Sequence, residues 1–350
     1  MIISSREQKI IDILLEQGSF QSSEIHELLA KRGEDVSLVT VKRALSDMTT
    51  RGILLVSGSG RSSSYQVSVL GRIFSDIDAR AYCAIEPDRR YGLKRYNQDL
   101  FAGMPDAIFS NEELKKLEDA TVEYRRRTID VPTAIQKKEL ERLVIELAWK
   151  SSKIEGNTYT LLDTEKLILE NKEAPGHTHI EAQMILNHKD AFNFVREYTS
   201  FFKTLSRTHI EELHEILVKD LNVGKGLRKQ MVGVIGSVYQ PLDNLHQVRE
   251  GLDALIEAVA RVQTPYAKAL VALCGISYLQ PFEDGNKRTA RLLANAILLA
   301  YACAPLSYRS VEESEYREAT LVFYEINSIV PFKKIFIDQY VFAARTYAVK

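Results

Sequence analysis

The residues best suited to chemistry lie in one twelve-residue string, Gln280–Arg291, which reads QPFEDGNKRTAR. An apolar helical stretch ends near Leu279 and a second begins near Lys287, so the string predicts a tight loop feeding a helix N-terminus. Gly285 allows the backbone angles that such a turn requires. Asn286 and Lys287 then offer N–H groups that no helical carbonyl can take, which makes an anion site. Arg288 and Arg291 are three residues apart and share the helix face beside that end. Two guanidiniums there call for an anion, and a polyphosphate suits their forked donors. Asp284 stands where it can hold a divalent cation that bridges phosphates.

The elements around this loop are mostly helical. Apolar spacing predicts helices at 111–127, 136–154, 161–172, 179–204, 207–220, 246–262, 266–279, 287–303, 312–326 and 332–348. One irregular stretch, Met231–Pro241 (MVGVIGSVYQP), is rich in Val, Ile, Tyr and Gly and predicts a small β-hairpin among the helices. The first 72 residues differ. Apolar runs ended by Gly18, capped near Ser22 or Ser23, and capped by Ser37 and ended by Gly52 predict three helices. Ile53–Val56 and Tyr65–Val69 flank a Gly/Ser loop and predict a hairpin. Three helices and a hairpin resemble a winged helix-turn-helix. From Ser37 to Arg72 there are five cations against one acid, whereas residues 1–36 hold four cations against seven acids. The positive half coincides with the third helix and the wing, so Lys42, Arg43 and Arg61 are the candidate DNA contacts. The competing reading is a basic face on a protein-binding or autoregulatory module.

Composition narrows the function classes. The net charge of -1 excludes a general polycation, so any nucleic-acid contact must be local. Three scattered cysteines without a CxxC pair argue against a disulfide framework or a zinc site. The apolar run Leu292–Cys303 is interrupted by Asn295 and is too short to span a bilayer, and the N-terminus lacks the apolar core of a signal peptide. A cytoplasmic protein without a membrane partner is expected. His177 and His179 are read as helix-capping residues, and His188 as structural.

The loop string resembles the Fic motif, HPFx(D/E)GN(G/K)RxxR, at nearly every specified position. Upstream, SSKIEG (Ser151–Gly156) is similar to the family's inhibitory-helix pattern (S/T)xxxE(G/N). EAQMILNHKDAFNFV (Glu181–Val195), Gly226–Arg228 with Val232–Pro241, and FYEIN (residues 323–327) also look like Fic segments. The resemblance implies a mainly α Fic-type bundle over residues 111–350 with a small β-hairpin flap. It places an inhibitory helix at about 136–156, preceded by a winged helix at 1–72 and a linker at 73–110. It implies AMP transfer from ATP, with Mg²⁺, to a Tyr, Thr or Ser hydroxyl of a protein, with the chain itself as one candidate target. Asp284 is then the metal residue, and Gly285, Asn286, Lys287, Arg288 and Arg291 bind nucleotide. Val234, Ile235, Gly236 and Tyr239 of the flap position the target. Glu155 is the inhibitory acid that competes with the γ-phosphate for Arg291. Relatives of this Glu-restrained class often form homodimers.

Two positions depart from the usual pattern. Gln280 stands where the family has its catalytic His, and an amide cannot take a proton near neutral pH. No histidine is close in sequence, His246 being the nearest upstream. Lys287 replaces the second Gly of the motif, as in the phosphate-transferring Doc branch. The alternatives are therefore a restrained adenylyltransferase, a nucleotide-binding pseudoenzyme, a DNA-binding regulator, or a Doc-like phosphotransferase.

Overall fold

The computed structural model describes residues 3–347. Two units emerge, one built from Met1–Pro105, Val234–Tyr239 and Leu321–Pro331, the other from Asp106–Gly233, Gln240–Thr320 and Phe332–Lys350.

In the smaller unit, α1 (Ser5–Gln17) starts at a capping box in which the Glu7 N–H donates to Ser4 Oγ and the Ser4 N–H donates back to the Glu7 carboxylate. Gly18 ends it at φ 100°. The second helix, α2 (Ser22–Lys31), is capped by Gln21 and Glu24 rather than by its own serines, which are helical. Ser37 caps α3 (Leu38–Thr50) as expected, accepting from the Thr40 N–H at 3.2 Å. The wing strands are β2 (Leu54–Ser57) and β3 (Ser64–Val67), and a two-residue strand, β1 (Phe20–Gln21), adds to the far side of β3. All pairings are antiparallel, with Phe20 opposite Tyr65 and Leu54 opposite Val67. Two residues carry no alternation, so β1 left no sequence signal. Ile10, Leu14, Ile25, Val41, Leu45, Met48 and Leu54 close the core. The short helices α4 (Val69–Phe74) and α5 (Ala79–Cys83) follow.

The larger unit holds α6 (Asn111–Thr128), α7 (Thr133–Ile154), α8 (Leu161–Glu170), α9 (His179–Glu197), α10 (Arg207–Leu217), α11 (Leu245–Arg261), α12 (Pro265–Leu279), α13 (Asn286–Ala300) and α15 (Val330–Thr346); α14 (Glu313–Ile326) contributes its first half. The central helix, α12, is apolar all round and packs against α11 and α13. Burying both helices that flank the loop fixes where Gln280–Arg291 emerges.

Among the described residues, the expected hairpin at Met231–Pro241 does not form: the stretch holds a single isolated bridge residue, Gln240, and no strand. It makes a turn around Ile235 and Gly236 (φ 79°), and its polar groups bond to side chains instead of a ladder. No described helix is long and apolar enough to cross a membrane.

Candidate active site

The loop opens where α12 stops. Gln280 adopts the left-handed conformation (φ 50°, ψ 58°) and its N–H still donates to the Ile276 carbonyl. Buried Arg228 secures the turn, with Nε donating to the Gln280 carbonyl at 2.5 Å and Nη2 to the Leu242 carbonyl at 2.5 Å. The Asn286 amide then bridges the loop on itself. It accepts from the Phe282 N–H at 2.9 Å and donates to the Phe282 carbonyl at 2.9 Å and to Gln280 Oε1 at 3.1 Å. Gly285 (φ 79°) is the N-cap of α13, and a Cβ there would lie 2.9 Å from Val218 Cγ1. Both its conformation and the close approach of Val218 require glycine.

His214 on α10 pins the far side. Its Nε2–H donates to the Asp284 carbonyl at 2.9 Å, and its ring stacks on Phe282 at 3.7 Å and 6°. Burial, with Arg288 nearby, pushes its pKa down to about 4, so the ring is neutral. No histidine is close to the loop in sequence, but α10 brings His214 against it in space.

The two arginines are buried. Arg288 reaches the Leu217 carbonyl at 3.4 Å and Asp284 Oδ2 at 3.3 Å. Arg291 donates from Nε to Ser151 Oγ at 2.8 Å, and from Nη2 to the Ser151 carbonyl at 2.9 Å and Glu155 Oε1 at 2.8 Å. Among the described residues its Nη1 meets no hydrogen-bond acceptor, and the guanidinium lies 5.5 Å from the Tyr316 ring centre. Glu155 is the C-cap residue of α7, and its other oxygen sits 3.5 Å from Lys287 Nζ. Burial pushes the Glu155 carboxyl up, but Arg291, Lys287 and Arg288 outweigh it and hold the group below its ordinary value. Ser151 passes the contact on: its hydroxyl lies 2.8 Å from His188 Nε2, while His188 Nδ1 lies 3.0 Å from the Met184 carbonyl. A carbonyl can only accept, so Nδ1 carries the proton and Nε2 accepts from Ser151. Burial holds His188 neutral, with a pKa pushed down to about 3.

Asp284 projects outward, its side chain 70% exposed. Among the described residues no three His, Cys, Asp or Glu side chains gather to hold a metal. One carboxylate beside an anion cradle suits Mg²⁺ that takes its remaining ligands from phosphates and water.

Residues 204–298 match the Fic/DOC family model, and residues 3–72 match the penicillinase repressor model. The C-terminal part of this chain is a Fic/DOC domain. Among curated relatives, a protein adenylyltransferase Fic from Nematostella vectensis is 28% identical over 207 residues, covering 57% of this chain and 48% of that protein. A protein adenylyltransferase fic-1 from Caenorhabditis elegans is 25% identical over 189 residues, covering 51% of this chain and 36% of that one. The chain thus spans half or less of the length of these relatives. The fold is shared with a Fic-domain-containing signaling protein from Bacteroides thetaiotaomicron (TM-score 0.56, 19% identity, 66% of this chain and 94% of that one). It is shared also with a Fic family protein from Desulfovibrio desulfuricans (TM-score 0.56, 20% identity, 69% and 75%).

Within the larger unit, Gln280, Asp284, Gly285, Asn286, Lys287, Arg288 and Arg291 gather on one loop and helix end, with Glu155 facing them. Val234, Ile235, Gly236 and Tyr239 belong to the smaller unit, where Ile235 is fully exposed and Tyr239 is buried, its ring 5.4 Å from that of Tyr324. Lys42 and Arg43 are exposed on α3, while the side chain of Arg61 lies outside the described residues. His177 and His179 do not cap α9, because Thr178 and Glu181 form the capping box there. Sequence reading missed His214, Arg228 and the Ser151–His188 link. A His one turn before a helix end, or an Arg beside a Gly, carries no periodic signal, and only the fold brings them to the loop.

Proposed function

We propose that this chain transfers AMP from Mg-ATP to a protein hydroxyl, from a nucleotide site that Glu155 restrains and that Gln280 leaves without its usual base. The observation that carries the reading is the fully buried Arg291, whose Nη2 donates to Glu155 at 2.8 Å beside the start of α13. A guanidinium fork serves a carboxylate or a phosphate, not both at once. The N–H groups at the start of α13 would bind the phosphate under attack, and Arg288 and Arg291 the other phosphates. Asp284 would hold Mg²⁺, which neutralises phosphate charge when bound. In the transfer, the target oxygen bonds to the α-phosphorus, the bond to the β-phosphate oxygen breaks, and pyrophosphate leaves. The hydroxyl proton has no acceptor at Gln280 and passes to solvent water. That side chain donates to the Ser277 carbonyl at 2.6 Å and accepts from Asn286, so it orients rather than deprotonates. Loss of a general base typically lowers rate by about 10²–10⁴. Lys287 faces Glu155, which supports a part in the restraint over a Doc-like choice of transferred group.

The test uses Glu155→Gly protein with and without Gln280→His, incubated with Mg²⁺ and α-labelled ATP. Label retained on protein only when His is present supports a silenced transferase; no label with either form sinks AMP transfer.

The engaged Gln280 amide, with the penicillinase repressor match, favours one second reading: a nucleotide-sensing regulator that binds DNA through α3 and the wing. It requires duplex binding whose log affinity falls linearly with log salt, with Lys42→Ala/Arg43→Ala flattening that slope by about 1–2. No salt-dependent binding would remove it.

A further inference from the structure

A candidate target-positioning segment has little structure of its own. Within Val234–Tyr239 the Ser237 N–H reaches the Val234 carbonyl at 3.3 Å and the Tyr239 N–H reaches Ser237 Oγ at 3.0 Å. Two of its polar contacts run to charged side chains in the same unit. Arg90 Nη1 donates to the Gly236 carbonyl at 2.9 Å, and Ser237 Oγ donates to Glu325 Oε1 at 2.5 Å. Arg90 and Glu325 pair with each other at 3.3 Å, their side chains only 6% and 2% exposed.

This pair is anchored on both sides. The Arg90 Nε and Nη2 donate to the Ile85 and Cys83 carbonyls at 2.8 and 3.2 Å. Glu325 Oε2 lies 2.7 Å from the Tyr82 hydroxyl, and its own carbonyl accepts from the Leu93 N–H at 2.5 Å. Gly92 (φ 123°) lets the chain approach, since a Cβ there would fall 2.3 Å from that carbonyl. Two helical neighbours of Glu325 on α14, Val322 and Ile326, sit in the winged-helix core with Ile10, Leu14 and Met48. A buried ion pair held by several further hydrogen bonds is a rigid fixture, and removing one partner leaves a charge without a counterpart.

We propose that Glu325 and Arg90 are positioning residues that fix the conformation of Val234–Tyr239 from the winged-helix core, and thereby set how a protein target is seated. The seating rests on the transferase reading above; the fixing does not. The fully exposed Ile235 is the apolar side chain the clamp presents.

The experiment is hydrogen–deuterium exchange on the full chain, comparing wild type with Glu325→Gln, Arg90→Lys and Ser237→Ala. Exchange of the Ser237 and Tyr239 amides should rise at least tenfold in Glu325→Gln and less in Arg90→Lys, which keeps the charge. Amides of α3 and the melting temperature should stay near wild type in at least one variant. If Glu325→Gln proves unfolded, Ser237→Ala carries the test at the residue-237 amide alone, because the Tyr239 N–H loses its own acceptor in that variant. Unchanged exchange at both amides in every folded variant overturns the proposal. In the Glu155→Gly/Gln280→His background, self-labelling by α-labelled ATP should slow at least threefold with Glu325→Gln while KM for ATP holds. If exchange rises but no protein is ever labelled, the clamp stands and the transferase reading fails.

Discussion

Replacing Glu155 with Ala removes the carboxylate from a buried guanidinium. Arg291 is fully buried, and its remaining bonds go to the hydroxyl and carbonyl of Ser151. Deleting one side of a buried pair costs about 3–5 kcal/mol. The lower end applies here, because Ser151 keeps two bonds to Arg291, the Tyr316 ring stays beside it, and Glu155 is 19% exposed, so water can enter once the carboxylate is gone. A loss of about 3 kcal/mol, at about 2–4 °C per kcal/mol for a unit of this size, lowers the nucleotide-free melting temperature by about 6–12 °C. Scanning calorimetry without nucleotide reads it directly. The control is the same change in an Arg291→Met background, where no charge is stranded; there Glu155→Ala should cost less than about 1 kcal/mol. Equal costs in the two backgrounds, or an unchanged melting temperature in the first, would refute the pairing argument.

Two other outcomes follow from the same network. Ser151→Ala strips Arg291 Nε and His188 Nε2 of their common partner, so it should destabilise by about 1–3 kcal/mol in calorimetry, whereas a solvated serine would cost almost nothing. His188 and His214 are held neutral, with pKa values pushed down to about 3 and about 4. The unfolded chain protonates such residues near their ordinary value of about 6.5. Their contribution is therefore full above that pH and is lost as pH falls toward 4, by about 1.4 kcal/mol per pH unit per histidine. Melting temperatures should drop between pH 6.5 and 5, less steeply in His214→Gln; a flat profile would contradict the buried neutral assignment.

The helices and the tight turn into α13 were legible because their signals are local. Capping residues such as Ser37, the apolar spacing of α12 and α13, and the string around Gly285 each act within a few residues. The Met231–Pro241 segment misled for a physical reason. Val, Ile and Tyr favour strands only where a partner ladder exists, and here side chains of Arg90 and Ser237 take the backbone groups instead. The contacts of His214 and Arg228 with the loop, and of the structural His188 with Ser151, were illegible because they join residues 37 to 70 apart along the chain.

The most direct test of the central claim, that Arg291 serves either Glu155 or the γ-phosphate, is calorimetric titration of wild type and Glu155→Gly with Mg-ATP and with Mg-ADP. The account predicts that Glu155→Gly binds ATP at least about tenfold more tightly than wild type, a difference of about 1.4 kcal/mol, while ADP, which has no γ-phosphate, binds the two forms alike. Equal ATP affinities, or a gain of the same size for ADP, would contradict it.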